Sequence, residues 1–143
     1  MRNKVKILCT IMAFVLVMCS VGAASVLNST VTWDVTVGND LYHHNGQSHL
    51  ASDFLSGNAS TGATESVFGR YVEAVFTYYD SSTNKTYTTT KTQSYPAHVT
   101  MNCQVSFTVP STLPYAKITK IDSTHITYYN NNPYPTQHTH CVW

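Results

Sequence analysis

Charged residues are scarce in this chain, and neither sign dominates. Only 10% of its 143 residues are Asp, Glu, Lys or Arg, and the formal net charge is +1. With 43% hydrophobic residues, this composition excludes a disordered polyelectrolyte, and the lack of a basic excess argues against a nucleic-acid partner. Six Gly and five Pro exclude a collagen-like fibre. The sequence therefore predicts a folded domain that does not recognise phosphates or anionic lipid through charge.

Motifs that would define a reaction are also missing. The sequence contains no GxSxG nucleophile elbow, no HExxH or CxxC metal spacing and no glycine-rich phosphate loop. The acids Glu65, Glu73 and Asp80 show no spacing that favours a glycosidase pair. We therefore expect a protein that acts by binding, without enzymatic activity and without a cofactor.

The first segment is typical of a secretory signal peptide. Three basic residues within 1–6 precede an apolar run over 7–21, and small residues follow at 22–24. The run is shorter than the roughly 20 residues of a full membrane span, which disfavours an uncleaved anchor. We predict a signal peptide over 1–24, cleavage after Ala24 or one residue earlier, and export of residues 25–143 as one domain without a transmembrane segment.

Cysteine usage fits an exported chain. Cys9 and Cys19 lie inside the predicted signal, so Cys103 and Cys141 remain after its removal. Exported proteins normally oxidise such a pair. The sequence therefore predicts a disulfide between Cys103 and Cys141, with two free thiols in a reducing environment as the alternative.

Alternation of apolar and polar residues predicts strands along the exported chain. In chain order the predicted elements are a strand at 31–37, a turn-rich region at 38–62 with one irregular strand or a short helix, a hairpin of 66–80 and 85–94 whose second arm is an edge strand, a central core strand at 97–109, two short β-rich stretches within 115–129, and a terminal strand at 138–143. No strong helical period competes with this pattern. We predict an all-β fold, a small antiparallel β-sandwich of six to seven strands.

Histidine is unusually frequent, with seven copies. His138 and His140 would project from the same face of the terminal strand, and that spacing can hold zinc or copper when a third ligand comes from elsewhere. The alternative is that these are solvated or hydrogen-bonded surface histidines. The sequence thus offers a possible metal site without a complete ligand set.

Tyrosines occur as adjacent pairs at Tyr78/Tyr79 and Tyr128/Tyr129. Neighbouring residues on a strand face opposite sides, so we expect one tyrosine of each pair to pack and the other to be exposed. Exposed aromatics beside Asn and Thr suit recognition of carbohydrate or protein. The alternative is that all of them complete a core between two sheets.

Part of the chain resembles the lactococcin-type secreted bacteriocins. The resemblance is carried by Tyr42-His43-His44, by Ser48-His49 with Ala51, and by Gly69–Ala74 (GRYVEA). That family consists of small exported β-sandwich proteins of Gram-positive bacteria that act on the cell envelope of competitors. The resemblance implies a similar role here, with a binding surface at Tyr42, His43, His44 and His49. The chain departs from the family pattern in its greater length, its two cysteines and its ending at His138–Trp143.

Together these features predict a secreted β-sandwich, found outside the cell or at its surface, that binds a cell-envelope component or another protein. Two alternatives belong to other classes. One is a secreted protein that binds metal through His138 and His140, and the other is a structural component of the cell surface.

Overall fold

The computed structural model describes residues 26–98 and 102–143. In this part of the chain all regular structure is β-strand. The strands are β1 (Asn28–Val37), β2 (Asp40–Leu50), β3 (Ser56–Ala63), β4 (Gly69–Asp80), β5 (Lys85–Tyr95), β6 (Asn102–Thr108), β7 (Ala116–Tyr129), β8 (Asn132–Pro133) and β9 (Gln137–Val142). The described residues include no helix able to cross a membrane. The predicted signal peptide lies outside them.

The strands form two antiparallel sheets that pack face to face. The first sheet has the order β1-β2-β3-β6. In the second, β5, β4 and β7 are neighbours, and β8 and β9 both pair with β7 on its far side. The predicted antiparallel β-sandwich is confirmed, with nine strands in the described residues where the sequence predicted six to seven.

The hairpin of β4 and β5 follows the predicted pattern. Alternate residues of β4 face the other sheet, and Phe76 at the centre of the strand is fully buried. The pairing ends at Asp80 opposite Lys85, where the turn begins. Because β5 pairs with β4 alone, it is an edge strand, as its lysines and threonines predict.

The turn-rich region at 38–62 contains two full strands, where the sequence predicted at most one irregular strand. Strand β3 (SGNASTGA) has no large apolar side chain, yet it lies in the middle of the first sheet. Its small residues make room for the opposite sheet, since a Cβ on Gly57 would lie 2.5 Å from Cδ1 of Ile121. The strand propensities of its residues do not identify β3, because packing against the opposite sheet selects small residues here.

The segment 115–129 forms one strand, β7, where the sequence predicted two short stretches. The pairing with β4 shifts register between Thr77 and Tyr78, which leaves Thr119 as an extra residue in β7. Buried positions therefore change phase, from Ile118 before the shift to Ile121 after it. This β-bulge interrupts the alternation at Thr119, while Asp122 and Ser123, around which the sequence divided the segment, lie inside the continuous strand.

The predicted central strand at 97–109 is also corrected. Strand β6 spans Asn102–Thr108 and pairs with β3 alone, at the edge of the first sheet. Cys103 and Val105 are buried, as the alternation predicts. Alternation shows that one face of a strand is buried, but it carries no information on how many neighbours the strand has. Val99 and Met101 lie outside the described residues.

The predicted disulfide is wrong, because Cys103 and Cys141 are both free and buried. The Cys103 thiol donates to the carbonyl of Gln93 at 3.1 Å, on the side of the sandwich where β5 and β6 meet. The Cys141 thiol donates to the carbonyl of Ser48 at 3.3 Å. This contact places Cys141 next to β2, whereas Cys103 is on β6. Strands β2 and β6 are two strand spacings apart, or about 10 Å, and a disulfide cannot join residues at that separation.

The core between the sheets is apolar towards one end. The largest fully buried apolar side chains of this cluster are Phe76, Leu50, Ile118 and Ile121. Phe107 and Tyr78 extend this cluster, with ring centroids 5.2 Å apart. This part supplies the hydrophobic stabilisation expected of a two-sheet sandwich.

Further along, the core becomes a buried network of hydroxyl groups around one histidine. Nδ1 of His125 lies 2.9 Å from Oγ1 of Thr61, and its Nε2 lies 2.8 Å from Oγ1 of Thr139. Oγ of Ser48 lies 2.6 Å from the same Thr139 oxygen and donates to Oγ of Ser123 at 2.7 Å. Strands β2, β3, β7 and β9 are thereby joined across the sandwich. Every polar atom of the His125 ring has a partner, so its burial is tolerated.

Candidate functional site

A surface cleft of about 740 Å³ lies at one end of the second sheet. We call it the tyrosine cleft. Its described lining residues are Val67, Gly69, Arg70, Tyr71, Ser94, Tyr95, Pro96, Ala97, His98, Tyr128, Tyr129, Asn130 and Asn131. These come from the start of β4, the end of β5 with the turn after it, and the end of β7 with its turn. Three chain segments thus meet at one site.

A glycine allows these segments to approach one another. A Cβ on Gly69 would lie 3.3 Å from the carbonyl oxygen of Tyr95, 3.5 Å from the amide nitrogen of Ala97 and 3.6 Å from Cβ of Tyr128. The first of these contacts is tighter than most real Cβ contacts, and the other two are ordinary van der Waals distances. The missing side chain at residue 69 therefore lets the turn after β5 cross close to the start of β4.

The turns around the cleft hold residues in the left-handed backbone region. His98 (φ 67°), Asn130 (φ 49°) and Asn131 (φ 64°) account for three of the five such non-glycine residues in the described chain. Asparagine adopts this conformation more readily than most residues. His98 is held there by its amide, which donates to the carbonyl of Ser66 at 2.6 Å. Residues in rarely populated conformations often cluster at binding sites.

Tyr71 presents a neutral hydroxyl group at the cleft. Its hydroxyl donates to Oε2 of Glu73 at 2.9 Å. Partial burial raises the pKa of Tyr71, and the hydrogen bond to Glu73 and the charge of that carboxylate raise it further. The phenol therefore stays protonated at physiological pH, and Glu73 fixes the direction in which it points.

The chemistry of the tyrosine cleft is aromatic and neutral. Four tyrosines, a serine hydroxyl and two asparagine amides line it, and its described lining contains no Lys, Asp or Glu. Arg70 also belongs to the lining, but its side chain is fully buried. Ring faces can stack on apolar surface while amides and hydroxyls exchange hydrogen bonds. This combination suits an uncharged ligand that has both apolar faces and hydroxyl groups.

A second, shallower depression of about 530 Å³ lies beside β1 and β2. It includes His43 and Asp34, whose Nδ1 and Oδ1 atoms are 2.6 Å apart. Both side chains are more than half exposed. An exposed contact of this kind contributes little to stability, and the Asp34 carboxylate presents charge where the tyrosine cleft presents neutral groups.

Strand β2 divides the four binding residues that the sequence singled out. Tyr42 and His44 face inward and pack on Phe68, with ring centroids 5.0 Å and 4.6 Å from it. His43 and His49 lie on the outer face, where Nδ1 of His49 contacts Oδ1 of Asn28 at 2.5 Å. The structure therefore does not bring these four residues together, and their joint role in binding stays a prediction.

The predicted metal ligands His138 and His140 lie on the exposed face of β9, as their spacing indicates. Nδ1 of His140 lies 2.6 Å from Oδ1 of Asp122, and Nδ1 of His138 lies 3.4 Å from Oγ1 of Thr124. In the part of the chain that the structure describes, no group of three His, Cys, Asp or Glu residues is placed to hold a metal ion. A metal at His138 and His140 stays a prediction.

Tyrosine patterning located part of the cleft. The prediction of one packed and one exposed residue holds for Tyr78, which is buried, and Tyr79, which is 36% exposed, whereas Tyr128 and Tyr129 in the cleft are both half-buried. Sequence reasoning did not assign His98, Asn130 or Asn131 to a site. The run of three asparagines after β7 was the available signal, since asparagine favours turns with positive φ.

Comparison of this chain with protein-family models, with curated proteins and with solved structures found no significant match. The residues and geometry described above are therefore the basis for any functional proposal.

Proposed function

We propose that this protein is a secreted, non-enzymatic binding protein, and that the tyrosine cleft takes saccharide units of a bacterial cell envelope. The observation that carries the proposal is the joint placement of Tyr71, Tyr95, Tyr128, Tyr129, Asn130 and Asn131 around one cleft. Export is proposed from the pattern of residues 1–24.

The size and chemistry of the cleft support a saccharide ligand. Its volume of about 740 Å³ falls within the range of small-molecule sites, roughly 300–1,000 Å³. Each sugar ring has an apolar C–H face that can stack on a tyrosine, and a rim of hydroxyls that can pair with asparagine amides. A neutral lining avoids the cost of removing water from charged groups when the ligand binds.

Antibacterial action on the envelope of competing Gram-positive bacteria is the more specific form of this proposal. It rests on the resemblance of Tyr42-His43-His44 and Gly69–Ala74 to the lactococcin-type bacteriocins. The second of these segments begins at the cleft, because Gly69, Arg70 and Tyr71 belong to its lining. Binding to the envelope and inhibition of growth are separate properties and need separate measurements.

The binding test uses purified Gram-positive peptidoglycan in a sedimentation assay and soluble N-acetylglucosamine oligomers in calorimetry. Tyr128→Ala is expected to weaken binding about tenfold, because one stacked aromatic ring contributes roughly 1–1.5 kcal/mol. Tyr115→Ala is the matched control, since Tyr115 is 65% exposed and does not line the cleft.

Equal binding by the Tyr128→Ala and Tyr115→Ala variants would show that the tyrosine cleft is not the saccharide-binding site. A wild-type protein that binds neither probe would overturn the saccharide ligand. Growth inhibition of Gram-positive cells, lost together with binding in Tyr128→Ala, would support the antibacterial form, and binding without inhibition would contradict it.

A further inference from the structure

Arg70 is a fully buried cation that has no acidic partner among the described residues. It faces the other sheet from the start of β4, and its Nη2 donates to the backbone carbonyl of Glu65 at 2.8 Å. Its Nε and Nη1 atoms are buried and lack a hydrogen-bond partner. Burial lowers the pKa of Arg70, yet a guanidinium stays protonated in proteins. An uncompensated charge between the sheets is strongly unfavourable.

A second unpartnered group lies next to Arg70 on the same sheet. Thr127 is the register partner of Arg70 across β4 and β7, and both side chains are fully buried on the inner face. Cβ atoms of such cross-strand partners are about 5 Å apart. Oγ1 of Thr127 is also buried without a partner, so its hydroxyl and the guanidinium can reach one small group between them.

The opposite sheet adds His44, whose two ring nitrogens are buried without partners. Burial is the main cause that lowers the pKa of His44 to about 4, and the charge of Arg70 is the next. His44 lies on the inner face of β2, and Phe68, two residues before Arg70 in the chain, packs against it. Trp33 stacks on His44 with ring centroids 5.6 Å apart, and its Nε1 is unpartnered as well. Phe68 packs edge-on against His44 at 4.6 Å and is itself fully buried.

These orphaned groups share one chemical property, which is that they donate hydrogen bonds. Nε and Nη1 of Arg70 and Nε1 of Trp33 are donors only, and the Thr127 hydroxyl and one nitrogen of a neutral imidazole can donate. A water molecule could accept some of these hydrogen bonds but would leave the charge of Arg70 uncompensated. A small anion would accept them and neutralise the charge.

We propose that Arg70 and Thr127, with His44 on the opposite sheet, bind a small monovalent inorganic anion such as chloride between the two sheets. Arg70 also belongs to the lining of the tyrosine cleft, but the anion site is inferred from its buried, unpartnered atoms and does not rest on the proposed saccharide ligand. Because the anion lies in the interior, we expect it to stabilise the sandwich.

The direct test is an NMR titration of the purified protein with its arginine side-chain nitrogens isotopically labelled. The chain has two arginines, Arg2 and Arg70, so the Arg70 Nε–H signal is readily assigned. Sodium gluconate, whose anion is too large for a buried site, is exchanged for sodium chloride at constant ionic strength. A saturable shift of the Arg70 signal is expected. An unchanged signal, or a shift that is linear in chloride, would overturn the proposal.

Thermal unfolding of variants gives a second readout. The wild-type melting temperature is expected to be higher in chloride than in gluconate, and Arg70→Met is expected to lose this difference. Lys91→Met, which removes an exposed cation from β5, is the control and should keep it. A chloride effect that persists in Arg70→Met would contradict the proposal. If Arg70→Met does not fold, the wild-type titration decides.

Discussion

The His125 ring fills the space between the sheets that a side chain at Gly46 would otherwise take. A Cβ on residue 46 would lie 2.5 Å from Cγ of the His125 ring and 2.6 Å from its Cδ2. Gly46 is on β2 and His125 is on β7, so the glycine creates the room in which the imidazole reaches its hydroxyl partners on β3 and β9. The missing side chain of one strand thus determines what the opposite strand can bury.

Gly46→Ala should therefore destabilise the fold. The added methyl group meets a ring that is hydrogen-bonded at both nitrogens and cannot shift freely. We expect a loss of about 1–3 kcal/mol in the free energy of unfolding, the usual range for overpacking, measured by urea denaturation. The double variant Gly46→Ala/His125→Ala should lose less than the sum of the two single changes, because the clash is absent. Additive losses would show that the two residues do not share this space.

Stability should fall as the pH is lowered below neutrality. Burial lowers the pKa values of both His44 and His125 to about 4, from an ordinary value of 6.5. The folded protein therefore binds these protons less readily than the unfolded chain. The corresponding stability is fully present above about pH 6.5 and is lost as the pH falls through about 4, by up to about 3 kcal/mol for each histidine.

Urea denaturation at several pH values between 7.5 and 4 would measure this loss. A His44→Gln variant should have a shallower pH dependence than the wild type, and His43→Gln reports the effect of losing the exposed neighbour. A wild-type stability that is constant from pH 6.5 to pH 4 would contradict the assignment of both histidines as buried and neutral.

Reducing agents should not change the stability of the protein. Cys103 and Cys141 lie towards different sides of the sandwich, and burial raises the pKa of both thiols. We expect slow alkylation of the native protein and rapid alkylation of both residues after unfolding without a reductant. Mass spectrometry of alkylated peptides would detect this. Peptides containing Cys103 and Cys141 that resist alkylation until a reductant is added would indicate the disulfide that the sequence predicted.

Asn130→Gly should remove the side chain of a cleft residue while keeping its backbone conformation. Glycine accepts the φ of 49° at this position without strain, so the fold should be kept while the amide is lost. We expect saccharide affinity to fall about tenfold with an unchanged melting temperature. Asn84→Gly is the control, because Asn84 also has a positive φ (53°) but lies in the turn between β4 and β5. Equal effects of the two changes would argue against a role for the Asn130 amide.

Local sequence patterns predicted most strands but not their neighbours. The alternation of β4 identified its buried face, and the polar residues of β5 identified an edge strand. The alternation of β6 was as clear, yet β6 lies at an edge, because the number of neighbouring strands depends on the whole topology. Strand β3 was missed for a related reason, since the size of Ile121 on the other sheet requires glycine at position 57.

The tyrosine cleft was predictable only in part. From the sequence, the adjacent pair Tyr128/Tyr129 was expected to place one aromatic ring at a recognition surface. Their meeting with Asn130 and Asn131 depends on how the turns after β5 and β7 fold over Gly69, which no local pattern specifies. The predicted binding residues Tyr42, His43, His44 and His49 show the reverse. They are close in sequence, but the structure separates them, because alternate residues of β2 point to opposite faces.

The buried hydroxyl network has a consequence for how the chain selects its pairing. Moving β9 by one residue along β7 would turn Thr139 outward and leave Nε2 of His125 and Oγ of Ser48 without that partner. Apolar contacts tolerate small offsets, whereas hydrogen bonds in a dry interior do not. A misaligned β9 would therefore be less stable than the native pairing, in a region where hydrophobic packing alone distinguishes poorly between the two registers. The network therefore favours the native register of β9 on β7 when the sandwich assembles.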